Sequence, residues 1–116
     1  MISGIVIEGK KLGRTIGFPT ANIALPCSCT DLSAGTYGLS GLVRGEDYYG
    51  IGVFLEDQEL FEAHFFDFDA DIYGELVSVT PLFKIRDNQK FSGIDALKEQ
   101  ILKDQEVMKE WIEEQK

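Results

Sequence analysis

Through most of its length this chain alternates apolar and polar positions with the two-residue period of strands. Near residue 92 the period changes to that of a helix. Residues 2–7 form a short β-rich run, Ile-Ser-Gly-Ile-Val-Ile. Residues 8–17 hold Gly9, Gly13 and Gly17 with Lys10, Lys11 and Arg14, which reads as a loop. Pro19-Thr20-Ala21-Asn22 reads as a tight turn or a strand entry, because Pro fixes φ and Asn favours turns. Tyr37, Leu39, Gly41 and Val43 alternate with Thr36, Gly38, Ser40 and Leu42, which predicts a strand. Gly45-Glu46-Asp47 predicts a hairpin loop leading into a strand over 48–55. A further strand is expected over 60–66, then a polar turn with aromatics over 67–74. The most β-like segment is 76–85, with Pro81 marking an edge or a bulge.

Ser92-Gly93-Ile94-Asp95 then resembles a helix N-cap, with Ser92 capping and an acid at the third helical position. Ile94, Leu97, Ile101, Met108 and Ile112 follow a 3.6-residue period and predict one amphipathic helix to about Glu114. Strands followed by one helix suggest a small antiparallel barrel, or a sheet plugged by that helix.

A chain of 116 residues is long enough for one domain, 1–116, with a core of its own. At 44% apolar and 27% charged residues it is ordinary for a globular protein, which argues against intrinsic disorder. There is no apolar run long enough for a membrane span, and residues 1–8 lack the basic-then-apolar pattern of a signal peptide. Cys27 and Cys29 stand one residue apart, too few for a disulfide framework, so a reducing cytoplasmic setting is expected.

The net charge of −9 is unevenly spread. Residues 1–30 carry Glu8 against Lys10, Lys11 and Arg14, whereas 56–75 carry eight carboxylates and no Lys or Arg. This argues against non-specific nucleic-acid binding, which needs phosphate neutralisation. It leaves room for a small anion beside the N-terminal cations and for a cation where the two segments meet. No membrane partner is expected, and the chain is expected to act as a monomer on small molecules.

Several constellations bear on chemistry. Gly9, Gly13 and Gly17 with Arg14 are compatible with an anion cradle, although glycines so spaced more often mark a plain surface loop. A Walker A loop is excluded, since Gly9 and Gly13 are one residue too close. Thr20 and Asn22 lie two apart on an extended segment and point the same way; both are hard oxygen donors suited to Mg²⁺. Spacing alone would equally make them a turn and a strand start. Along 60–67, Leu60, Glu62, His64 and Phe66 share one face, and Phe61, Ala63, Phe65 and Asp67 the other. Glu62 among so many aromatics is a candidate general base, against the commoner fate of a strand Glu facing water. His64, the one histidine, reads as structural.

Asp67, Asp69 and Asp71 suggest a calcium loop, but Ile72 stands where that loop needs Gly and Ser78 where it needs Glu. A solvated acidic turn is the better reading. Residues 85–91, Ile-Arg-Asp-Asn-Gln-Lys-Phe, read as a charged connection or, more sharply, as a substrate-covering loop. Cys27 and Cys29 lack a second ligand pair for zinc, and a single His discounts a hydrolase triad.

Taken together these residues resemble a known family. Gly9-Lys10-Lys11-Leu12-Gly13-Arg14-Thr15-Ile16-Gly17-Phe18-Pro19-Thr20-Ala21-Asn22-Ile23 resembles the signature of riboflavin kinase, a domain that often forms the C-terminal half of bacterial bifunctional riboflavin kinase/FAD synthetases. Gly35-Thr36-Tyr37-Gly38, Glu62-Ala63-His64-Phe65-Phe66-Asp67-Phe68, Asp71-Ile72-Tyr73-Gly74 and Arg86-Asp87-Asn88-Gln89-Lys90-Phe91 are similar to further blocks of that family in the same order.

The resemblance implies a six-stranded antiparallel Greek-key barrel with a C-terminal helix. It implies transfer of the ATP γ-phosphate to the ribityl 5′-hydroxyl of riboflavin, giving FMN and ADP. On the same footing, Thr20 and Asn22 would hold Mg²⁺ and the nucleotide phosphates. Gly9, Gly13, Arg14 and Gly17 would cover the nucleotide, and Glu62 would accept the hydroxyl proton. Arg86, Asp87 and Phe91 would close over the flavin.

Two departures stand out. Gly50-Ile51-Gly52-Val53-Phe54-Leu55-Glu56-Asp57 lacks the family's Pro-Thr segment and leaves a shorter connection to Glu62. The chain also begins at the first barrel strand, so adenylyl transfer to FMN is not expected of it. The alternatives are a non-catalytic flavin- or nucleotide-binding module of the same fold and an interaction domain using the acidic 56–75 face.

Overall fold

The computed structural model describes residues 2–7, 20–68 and 72–116. Within these, six strands precede one long helix: β1 (Ile2–Ile7), β2 (Ala21–Ala24), β3 (Gly35–Val43), β4 (Glu46–Leu55), β5 (Leu60–Phe65), β6 (Leu76–Arg86) and α1 (Ile94–Glu114). The strands pair antiparallel and the sheet closes on itself in the order β1-β2-β5-β4-β3-β6. β3, β4 and β5 follow one another as hairpins and β6 returns beside β3, which is the Greek-key connection.

The expected strands are present, with small shifts that have local causes. The β3–β4 turn is Arg44-Gly45, both at positive φ (52° and 80°), so β4 begins at Glu46 rather than after a loop at 45–47. Two such residues make the tight hairpin whose twist matches the flanking strands. Arg44 tolerates that backbone while its guanidinium grips Glu75 at 2.9 and 2.7 Å. Pro81 lies in β6 beyond Val79, the last position paired with β1, and faces Leu39 of β3 beside a register irregularity. It therefore sits where its missing N–H is least needed.

Strand alternation fills the barrel from within. Ile23, Leu39, Val43, Phe54, Phe61, Val77 and Val79 are buried almost completely. Gly52 and Gly41 keep the wall thin where rings cross the interior. A Cβ on Gly52 would meet the Phe61 ring, and one on Gly41 the Phe65 ring.

The helix does not plug the barrel; it lies along the outer wall. Met108 and the Phe83 ring both sit over Gly38, where an added Cβ would be 2.7 Å from each. The Trp111 ring contacts Tyr49 and Phe83, with centroids 6.0 and 5.6 Å apart. The amphipathic period holds for Leu97, Ile101, Met108 and Ile112, but Ile94 is half exposed. The N-cap is Gly93 and not Ser92, and among the described residues no side chain caps the helix. Asp104, a charged residue, occupies the centre of the buried stripe.

Candidate active site

Register brings the candidate residues together. Asn22 on β2 is directly opposite Glu62 on β5. Glu62 is opposite Val53 on β4, Val53 opposite Thr36 on β3, and Thr36 opposite Arg86 on β6. Directly opposed residues share a face, with Cβ atoms about 4.5–5.5 Å apart. Asn22, Glu62, Val53, Thr36 and Arg86 thus form one continuous row across the outer wall. The alternate residues Phe61, Ala63 and Phe65 point into the core, as the face assignment for 60–67 requires.

Asn22 is only 4% exposed, and its Oδ1 has no hydrogen-bond partner among the described residues. An orphaned buried acceptor costs about 1–3 kcal/mol, so such an atom is expected to meet a partner that arrives from outside. A hard cation that keeps waters and substrate phosphates as its other ligands fits a neutral oxygen of this kind. Thr20, half-buried, stands just before β2. Among the described residues no three His, Cys, Asp or Glu cluster to hold a metal.

Glu62 is half-buried on the outer wall, between Asn22 and Val53. The short connection before it is a tight hairpin. A turn at Glu56–Gln58 and Glu59 at φ 48° return the chain directly, and Leu55 pairs with Leu60. The segment that departs from the family pattern, 50–57, is the second half of β4 and the start of this turn, and its brevity leaves Glu62 in register. His64 faces outward beside Phe66, ring centroids 6.0 Å apart.

Arg86 ends β6 rather than starting the connecting loop, and its guanidinium is committed to the helix. Nε lies 3.0 and 3.1 Å from the two Asp104 carboxylate oxygens, and Nη2 lies 2.9 Å from Oδ2. The side chains are 15% and 2% exposed. Gln100 donates to Asp104 Oδ1 at 3.0 Å. Nη1 donates to the Asp87 carbonyl at 3.3 Å, and the guanidinium carbon stands 5.7 Å from the Phe91 ring centre. Asn88 Nδ2 donates to the Phe54 carbonyl at 3.0 Å, fastening the connection across the end of β4. Asp87 points into solvent and pairs with Lys84, whose hydrogen bond and charge hold its carboxyl below the usual value.

Two residues of this region were not singled out from sequence. Thr36 is fully buried, with its hydroxyl unpartnered among the described residues. Asp104 offered a readable signal: a carboxylate three after Ile101 and four before Met108, inside an apolar stripe. Gly9, Gly13, Arg14 and Gly17 lie outside the described residues, as do Asp69 and Asp71.

A family model described as "Flavokinase: Riboflavin kinase" matches residues 1–112. The chain belongs to the riboflavin kinase family. It is 41% identical over 114 residues to a bifunctional riboflavin kinase/FMN adenylyltransferase of Bacillus subtilis, covering 90% of this chain and 36% of the relative. It is 44% identical over 115 residues to the protein of the same description from Haemophilus influenzae, covering 93% of this chain and 37% of the relative. A solved structure described as a macrolide-efflux protein from Streptococcus pneumoniae superposes with TM-score 0.83 at 37% identity, covering 94% of this chain and 38% of that one. The chain therefore spans little more than a third of the length of these two curated relatives. No helix among the described residues is long and apolar enough to cross a membrane.

Proposed function

We propose that this chain is an ATP:riboflavin 5′-phosphotransferase that forms FMN and ADP. The observation that carries the reading is the placement of Asn22 directly opposite Glu62, in a chain whose family is riboflavin kinase. Phosphoryl transfer asks for positioning and charge neutralisation rather than covalent intermediates. On this reading Asn22 supplies an oxygen on the phosphate side and Glu62 the carboxylate that takes the proton, on strands roughly 5 Å apart.

Glu62 accepts the proton of the ribityl 5′-hydroxyl as that oxygen attacks the γ-phosphorus. The new O–P bond forms as the bond from the γ-phosphorus to the β–γ bridging oxygen breaks, and ADP leaves with that electron pair. Asn22 Oδ1 and the Thr20 hydroxyl would hold Mg²⁺, which neutralises charge on the β- and γ-phosphates. Arg14 with Gly9, Gly13 and Gly17 would cover the nucleotide. The connection from Arg86 to Phe91, with Asp87, would cover the flavin and limit water as a competing acceptor. The exposed free thiols of Cys27 and Cys29 fit work in a reducing cytoplasm.

Incubating the chain with riboflavin and ATP, with and without Mg²⁺, and separating the flavins tests the reading. FMN formed only with Mg²⁺ supports it. Riboflavin bound without turnover favours the flavin-binding module.

A further inference from the structure

The acceptor must approach Glu62 from the side that the nucleotide leaves open. The phosphates belong beside Asn22, so the body of the acceptor is directed along the row toward Val53, Thr36 and Arg86. The connection that borders this side is held at several points: Asn88 reaches the Phe54 carbonyl, one residue from Val53, Lys84 of β6 pairs with Asp87, and Arg86 donates to the Asp87 carbonyl and stands over the Phe91 ring. Arg86 is in turn held by Asp104, eighteen residues away, through three contacts of 2.9–3.1 Å.

We propose that Asp104 is a positioning residue for the riboflavin side of the site. Its carboxylate fixes the Arg86 guanidinium on the helix, and through it the 87–91 connection. Riboflavin affinity is thereby set from α1 as well as from the barrel. This inference rests on the phosphotransferase reading for the identity of the acceptor. Its geometry is separate: a nearly buried carboxylate bonded by one guanidinium and one amide, in a stripe otherwise lined by apolar and neutral side chains. A fork-to-fork pair defines the guanidinium plane as well as its distance, which a lone surface charge does not.

The test compares wild type with Asp104→Asn, Asp104→Glu and Met108→Ala. Met108 is buried on the same helix face and sits over Gly38 beside Phe83, so its truncation loosens the helix without removing the carboxylate. Asp104→Asn is expected to raise the KM for riboflavin about tenfold to a hundredfold, the equivalent of a lost charge-assisted hydrogen bond, and to leave the KM for ATP within about twofold. Asp104→Glu should recover a large part of that loss. Met108→Ala should lower Tm and leave the riboflavin KM alone.

An unchanged riboflavin KM in Asp104→Asn, an equal rise in both KM values, or the same effect from Met108→Ala overturns the proposal. Where Asp104→Asn does not fold, Gln100→Ala decides. A raised riboflavin KM supports the proposal and an unchanged one overturns it. Absence of FMN from the wild type overturns the phosphotransferase reading instead. Riboflavin fluorescence quenching by the same variants then tests Asp104 without turnover: weaker quenching in Asp104→Asn than in Met108→Ala supports its role, and equal quenching overturns it.

Discussion

Asn22 and Glu62 are directly opposed on neighbouring strands, so a buried amide oxygen, unpartnered among the described residues, and a half-buried carboxylate share one patch of the barrel's outer wall. Asn22 lies on the outer wall and is nonetheless buried, at 4% exposure, which sets it apart from an ordinary outward strand position. In the proposed phosphotransferase, Asn22 would serve the phosphate side and Glu62 the hydroxyl that attacks.

Glu62→Gln keeps size and hydrogen bonding but removes the base. Turnover is expected to fall about 10²–10⁴-fold, the range of general base catalysis, with ATP binding nearly unchanged. Steady-state rates and an ATP binding isotherm check this. Equal losses in both would refute the base role.

Asn22→Ala removes an oxygen whose hydrogen bonding is unsatisfied among the described residues, so the ligand-free protein should lose little stability. Its response to Mg²⁺ and ATP should change far more. Wild type is expected to gain about 2.7 kcal/mol at a ligand concentration of a hundred times Kd, and Asn22→Ala to gain far less at the same concentration. Thermal melts with and without Mg-ATP give both numbers.

Gly50→Ala tests the register on which the row depends. An added Cβ there would run into the carbonyl oxygen of His64 on the facing strand, which is backbone and has no rotamer to yield. A loss of about 1–3 kcal/mol or more is expected in denaturant unfolding. Activity should fall with it, because Glu62 lies two residues from His64 on β5.

How much of this was legible follows from what each pattern encodes. Alternation over 36–43 and 60–66 marked which side chains enter the core, because a half-buried sheet imposes a period of two. The helix was legible from its apolar stripe. Its cap falls on Gly93, although Ser92 carries the signature side chain. The seat of the helix on the outer wall depends on Gly38 accepting Met108 and Phe83, a fit that becomes visible only in three dimensions. The Asn22–Glu62 pair is forty residues apart in sequence, and its juxtaposition depends on β2 pairing with β5 across the Greek key. Likewise the family blocks pointed to Arg86, whereas its partner Asp104 lies in the helix beyond them.

The Lys84–Asp87 pair gives a pH dependence with a definite sign. The folded Asp87 carboxyl is held below its ordinary 3.8, first by the hydrogen bond from Lys84 and then by its charge. The pair's contribution is therefore complete above that value and is lost as pH falls through the lower folded value. With the Asp87 side chain 87% exposed the effect on stability is small. A carboxyl NMR titration should place the Asp87 midpoint below 3.8, and Lys84→Met should return it upward. An unmoved midpoint would rule out the pairing in solution.

The γ-phosphoryl group itself can be followed from ATP to its acceptor. The chain is incubated with riboflavin, Mg²⁺ and ATP labelled at the γ-phosphate, and the flavins are separated from the nucleotides. The account predicts label in the FMN peak, dependent on Mg²⁺ and lost in Glu62→Gln. Label that stays in ATP, or appears only as inorganic phosphate while riboflavin is unchanged, would contradict it.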